Sequence, residues 1–334
     1  MNILDKIKER FKLYRLYAAG FMAFLPCLGA LSTGSWDKIL LLKLFIIGLL
    51  GHGAGYILNE IVDIRFDSKS KDLGDKPLVK GTVSVAEAEA YVWSFGIAGI
   101  IITPLFFHKL IVIMLLYLSF SLGIVYALFS KKVPGMEVIY ASWAVIFTLS
   151  GAASTALRPP NLTIVLLLMV GVVMFFNVAV IGGLKDIVHD PKGGGRTTAW
   201  VLGIRVKKDR LRFSDSYFIY LTCQLFALFL VTVLAPWLVL PSLNAIRLVI
   251  YYAIVFLISF GIVRAVTNFT GAAPTNRKKV LALIRNYVIL SYLLIPTIFM
   301  LALPIEIVLF ITVFPLSWAI ISNIITYGKI IPTI

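Results

Sequence analysis

Ten apolar runs, each near the length needed to cross a lipid bilayer, leave this chain few folds to choose from. They are Leu16–Leu31, Leu40–Leu58, Ala86–Phe107, Leu110–Phe129, Val138–Ala156, Thr163–Leu184, Tyr217–Leu240, Leu248–Val263, Tyr287–Leu303 and Ile305–Tyr327. A bilayer core holds no water to satisfy a backbone, so a run of about 20 mostly apolar residues reads as one spanning helix. The last two runs, parted only by Pro304, read as two spans or as one long hairpin. Only 14% of the 334 residues are charged, against roughly a quarter in soluble domains. The expected fold is an all-α polytopic membrane protein of nine to ten transmembrane helices. It forms a single domain over residues 1–334, with residues 1–15 as an interfacial segment.

Charge sets the expected orientation. With the N-terminus in the cytoplasm, every Lys and Arg of the 31 falls on the cytoplasmic side except Lys38, Lys43, Lys109, Arg158 and Arg247. That asymmetry is the positive-inside pattern of an integral, multi-pass cell-membrane protein. The net charge of +15 is spread over short loops and has no folded basic domain, which argues against nucleic acid as a partner. The first fifteen residues suit contact with anionic membrane lipids. No protein partner is evident. Cys27 and Cys223 both fall within apolar runs and read as small buried side chains.

The chemistry concentrates in the stretch 59–81, which holds Glu60, Asp63, Asp67, Asp72 and Asp75 out of only 16 acidic residues. If the second span continues as a helix into this stretch, Asn59, Asp63 and Asp67 step by four and share one face. Like charges at that spacing repel, and a cation between them removes the cost. The bland alternative is a solvated helix end. A second pair, Asp186 and Asp190, follows the sixth span with the same spacing, and Lys76, Lys80, Lys185, Lys192 and Arg196 are interleaved with the two groups. The combination fits one divided site for a polyanion held by Mg²⁺, which prefers a few carboxylates plus substrate phosphate oxygens. Pro77 disfavours helical geometry at Lys76 and marks a loop that could fold back over the carboxylates.

Single residues carry weaker signals. Arg15 lies at the mouth of the first span, suited equally to a snorkelling anchor and to a phosphate contact. Tyr126 and Lys131 end the fourth span, where an aromatic belt explains them as well as a site does. Arg196 with Thr197 and Thr198 offers donors for phosphate oxygens. His52 reads as a packed, hydrogen-bonded residue. Gly48, Gly51, Gly53 and Gly55 allow close helix approach or room for a ligand chain. Asn177, an amide inside a span, needs a partner and suits interhelical bonding.

At these residues the sequence resembles the UbiA-type intramembrane prenyltransferases. Asn59, Asp63 and Asp67, followed by Lys76-Pro77-Leu78 and Gly81, match their first signature. Asp186 and Asp190 match the second, Tyr126 and Lys131 a Tyr-then-Lys element, and Arg15 a basic opening to the first helix. Glu60, Lys76, Leu16 and Gly194 depart from the commonest residues at their positions. The resemblance implies a UbiA-like bundle around a central cavity with cytoplasmic Asp-rich loops. It also implies Mg²⁺ held by Asn59, Asp63, Asp67, Asp186 and Asp190, with diphosphate contacted by Arg15, Lys76, Lys131 and Arg196. The implied reaction moves an isoprenyl group from a polyprenyl diphosphate, such as geranylgeranyl diphosphate, to a hydrophobic acceptor. Acceptors across that family include aromatic quinone precursors, haem, chlorophyll precursors and the geranylgeranylglyceryl phosphate of archaeal-type ether lipids, and the many basic residues lean the expectation towards the phosphate-bearing one. Phosphoribosyl transfer to a polyprenyl phosphate and membrane ion transport are the alternatives.

Overall fold

The computed structural model describes residues 2–69, 71–188, 194–207, 210–239 and 245–330, the side chains at 71 and 181 excepted. Among them, ten helices or helix runs are long and apolar enough to cross a membrane, and Arg277–Phe299 and Ile305–Tyr327 are separate spans. The chain divides into two compact units, Met1–Phe129 with Ser142–Arg158 and Val313–Thr333, and Ser130–Ala141 with Pro159–Thr312.

The first unit opens with α1 (Ile3–Tyr14), α2 (Leu16–Met22) and α3 (Leu25–Ser32). Asn2 caps α1 by accepting from the Asp5 amide at 2.8 Å. Outside its buried Glu9 and Leu13, α1 is exposed or half-buried. The long α4 (Lys38–Asp67) is capped by Asp37 and runs unbroken through the first acidic motif. Lys76 is extended, as a residue before proline should be, but α4 has already ended at Asp67, and Pro77 opens the short α5 (Pro77–Lys80) rather than breaking a helix. Two spans follow, α6 (Val85–Phe106) and α7 (Leu110–Phe129), and then α8 (Met136–Thr155), whose larger part belongs to this unit.

Small residues set the helix spacing. A Cβ at Gly29 of α3 would collide with the Thr148 carbonyl of α8, and one at Gly151 with the Pro26 carbonyl, so the two backbones touch. Gly48 does the same against Ala23, Gly51 against Phe120, and Gly53 against Tyr14 and Phe95, whereas Gly55 faces open space. Beneath the acidic motif a small core of Leu13, Ile57, Leu78, Val83 and Ala88 seats α1, α5 and α6 on α4. That core fixes the loop carrying Lys76.

The second unit contains α9 (Asn161–Phe176), which continues as a π-helical segment over Asn177–Gly182 and a last turn, α10 (Gly183–Lys185). After α11 (Thr198–Val201) comes an antiparallel hairpin of β1 (Arg205–Lys207) and β2 (Arg210–Arg212), then α12 (Asp215–Val239), α13 (Ala245–Ala272) and α14 (Arg277–Phe299). The final span, α15 (Ile305–Tyr327), begins in this unit, and its larger part, from Val313, belongs to the first. Buried Tyr251 and Tyr292 pin neighbouring helices by donating to the Thr232 and Ile311 carbonyls, both at 2.6 Å.

Two sequence readings are corrected here. Cys27 is buried, but Cys223 is exposed on α12, on a face it shares with the exposed side chains of Ile219, Phe226 and Leu230. Asn177 opens the π segment, and its Oδ1 has no partner among the described residues, so it does not bond two helices through that atom.

Candidate functional site: carboxylates and bases at the span ends

In the first unit the end of α4 gathers three carboxylates and two bases. Asn59, Asp63 and Asp67 lie on one helical face, and Asn59 donates from Nδ2 to Asp63 Oδ2 at 3.0 Å. Asp63 and Asp67 are buried, at 5% and 2% exposure, while Asp72 and Asp75 face outward as solvated loop residues. Lys76 reaches back from its loop and donates to Asp67 Oδ2 at 2.7 Å. Arg15 comes from the break between α1 and α2, where its own backbone is left-handed at φ 49°. An arginine holds that conformation only where its surroundings dictate it. His52 assists by bonding through Nε2 to the Tyr14 carbonyl at 2.9 Å, a carbonyl freed by the break. The packed reading of His52 therefore holds.

Glu60 ties the bases together. Arg15 donates to its Oε1 through Nε at 2.9 Å and also through Nη2, and Lys76 Nζ lies 2.9 Å from its Oε2. The Arg15 guanidinium also lies 5.4 Å from the Tyr56 ring centre. Burial, the largest influence on Lys76, works to lower its ammonium pKa; the adjacent Glu60 and Asp67 carboxylates outweigh it and hold the pKa above the ordinary lysine value. Arg15 is thus a built part of the cluster and not a snorkelling anchor. Sequence reasoning counted Glu60 among the clustered acids and as a departure from a pattern, but gave it no role. The signal available was its spacing of three and seven residues to Asp63 and Asp67, which places it on their face.

In the second unit Asp186 is buried beyond α10 and accepts from Arg277 Nε at 3.0 Å. Lys185 Nζ stands 3.8 Å from its other oxygen. Arg277, itself buried at the start of α14, sits in a basic stretch that the sequence offered only as surface, so nothing local marked it out. The Arg196 amide donates to the Lys131 carbonyl at 2.8 Å, and Thr198 Oγ1 accepts from the Gly135 amide and donates to Glu137, both at 2.8 Å. These bonds bring the segments of Lys131 and Arg196 together. Lys131 is half-buried and Arg196 exposed. Tyr126, half-buried on α7, belongs to the first unit. Asp190, with Lys192, lies outside the described residues.

The donor set fits Mg²⁺. Among the described residues no group of three His, Cys, Asp or Glu side chains stands ready to hold a metal alone. The hard oxygens of Asn59, Asp63 and Asp67 in the first unit suit an ion that completes its shell with water and substrate oxygens, and the Asp186 carboxylate in the second is a donor of the same kind.

Fold and site together define a class: a polytopic helical membrane protein with buried carboxylate and base clusters at the ends of its spans. The chain belongs to the UbiA prenyltransferase family, whose family model matches residues 20–287. It is 25% identical to the digeranylgeranylglyceryl phosphate synthase of Methanoculleus marisnigri over 56% of this chain and 64% of that protein. It is 28% identical to the 4-hydroxybenzoate octaprenyltransferase of Shewanella woodyi over 48% of this chain and 57% of that one. The chain thus spans less than two thirds of the length of either relative. A UbiA homolog from Archaeoglobus fulgidus, bound to GPP and Mg²⁺, shares the fold with a TM-score of 0.58 at 17% identity, over 88% of this chain and 99% of that one.

Proposed function

We propose that this protein is a Mg²⁺-dependent prenyltransferase that moves an isoprenyl group from a polyprenyl diphosphate to a lipid acceptor and releases diphosphate. The observation that carries the reading is the cluster at the end of α4, where Asp63 and Asp67 lie beside two bases held by Glu60. Asn59, Asp63 and Asp67 in the first unit, and Asp186 and Asp190 in the second, would hold Mg²⁺. Arg15, Lys76, Lys131 and Arg196 would take the phosphate oxygens. Bound Mg²⁺ would neutralise charge gathering on the leaving diphosphate.

In the transfer, the donor's C1–O bond breaks and its electron pair leaves on the diphosphate. The acceptor nucleophile forms a bond to C1 and loses a proton to solvent. Arg15 and Lys76 are oriented before substrate arrives, so they need little reorganisation as charge develops. Tyr126 would offer a ring face to the allylic cation.

The acceptor we favour is a phosphate-bearing glycerolipid, geranylgeranylglyceryl phosphate, ahead of an aromatic quinone precursor. The net charge of +15 suits an anionic acceptor, and the match to the M. marisnigri relative covers more of both chains than the match to the S. woodyi one. Radiolabelled geranylgeranyl diphosphate incubated with membranes, Mg²⁺ and a panel of acceptors tests both levels. Labelled product with the glycerolipid is expected. Product with the aromatic acid alone would replace the acceptor, and product that survives both Asp63→Ala and Asp186→Ala would remove the mechanism.

A further inference from the structure

The hairpin of β1 and β2 places like charges directly opposite one another. Its register pairs Arg205 with Arg212 and Lys207 with Arg210, and Val206 with Leu211 on the other face. Alternation along a strand puts all four cations on one face. Like charges opposed across a hairpin destabilise it. Leu211 is buried at 2% and its amide donates to the Ala273 carbonyl at 2.8 Å, which pins β2 to the end of α13, whereas Val206 opposite it is exposed. Arg205 is partly committed, donating to the Trp200 and Ile204 carbonyls at 2.6 and 2.8 Å. Lys207, Arg210 and Arg212 are exposed, and among the described residues none of them meets a carboxylate.

A second arrangement nearby also works against local stability. Lys278 and Lys279 are exposed in the first turn of α14, where the helix dipole disfavours cations. Both arrangements cost folding energy, and a polyanionic surface lying against them would offset it. Position identifies that surface. Arg212 stands three residues before α12, Ala273 directly follows α13, and Arg277 opens α14. Each of these points is the end of a candidate span, where a bilayer crossing would place lipid headgroups.

We propose that the hairpin face of Lys207, Arg210 and Arg212, extended by Lys278 and Lys279, is a docking surface for anionic phospholipid headgroups. It does not depend on the prenyl-transfer reading. Each cation near an anionic leaflet strengthens binding by roughly fivefold at low salt, and the effect fades as salt screens it.

The test uses the full chain in nanodiscs of equal phosphatidylglycerol and phosphatidylcholine, with retained lipids counted by native mass spectrometry. The wild type should keep phosphatidylglycerol preferentially. In K207Q/R210Q/R212Q that preference should fall by about tenfold or more. In phosphatidylcholine alone the variant should be at least as heat-stable as the wild type, because the opposed charges are gone. K278Q/K279Q leaves the hairpin intact, should show a smaller loss, and keeps the test decisive if the triple variant misfolds. An unchanged lipid ratio in a folded variant would overturn the proposal. So would displacement of phosphatidylglycerol by millimolar inorganic phosphate, which would mark a site for the free anion.

Discussion

Glu60→Ala is the perturbation that most sharply separates a built polyanion site from a row of surface acids. Glu60 is 5% exposed and is the shared partner of Arg15 and Lys76, whose side chains are each 21% exposed. Removing one member of a buried ion pair costs about 3–5 kcal/mol, and the partial solvent access of both bases lowers that to about 2–3 kcal/mol. Glu60→Gln keeps the shape and one acceptor but loses the charge, so it should cost roughly half as much. The assay is unfolding in neutral detergent, with and without Mg²⁺ and inorganic diphosphate. A ligand that binds only the folded state stabilises it in proportion to the logarithm of its saturation. With Glu60 gone the two bases lack their shared counter-charge, so diphosphate should stabilise E60A more than wild type and narrow the gap between them. Equal stability of E60A and wild type, or the same diphosphate effect on both, would refute the reasoning.

The remaining predictions test other parts of the account. Arg277→Met leaves Asp186 buried without its guanidinium and should cost about 3 kcal/mol; it should also shift the Mg²⁺ titration of product formation several-fold, with partial rescue by R277K, and an unmoved titration would show that Arg277 does not position Asp186. Gly29→Val and Gly151→Val should each force α3 from α8 and cost about 1–3 kcal/mol, whereas Gly55→Ala, where nothing lies within 4 Å, should leave the melting temperature nearly unchanged. Lys76 has a raised pKa, so its stabilising contribution is complete below the ordinary lysine value of about 10.4 and is lost as pH rises through the folded value; K76M should flatten the alkaline loss of stability, and parallel curves for K76M and wild type would contradict the pairing.

The spans were legible because hydropathy acts over twenty residues at a time and needs no knowledge of partners. The helical run to Asp67 and the extended backbone at Lys76 were legible for a local reason as well: both follow from spacing and backbone sterics. The partnerships were not. Glu60 meets Arg15 across 45 residues, and Asp186 meets Arg277 across 91, so no window of sequence contains both members. Charged residues in a loop look alike until folding buries some of them, which is why Arg277 passed as surface beside Lys278 and Lys279. The π segment at Asn177–Gly182 has no pattern that separates it from the apolar helix it continues. The cationic hairpin was equally hidden, since its like-charge pairs oppose the usual strand preferences.

The most direct measurement is a structure of the protein with Mn²⁺ in place of Mg²⁺ and a non-hydrolysable polyprenyl diphosphate analogue, with the metal located by its anomalous signal. The account predicts metal bound to Asp63 and Asp67, with Arg15 and Lys76 on the diphosphate oxygens, and metal bound to Asp186. Metal at only one carboxylate group, or a diphosphate held away from both, would contradict it.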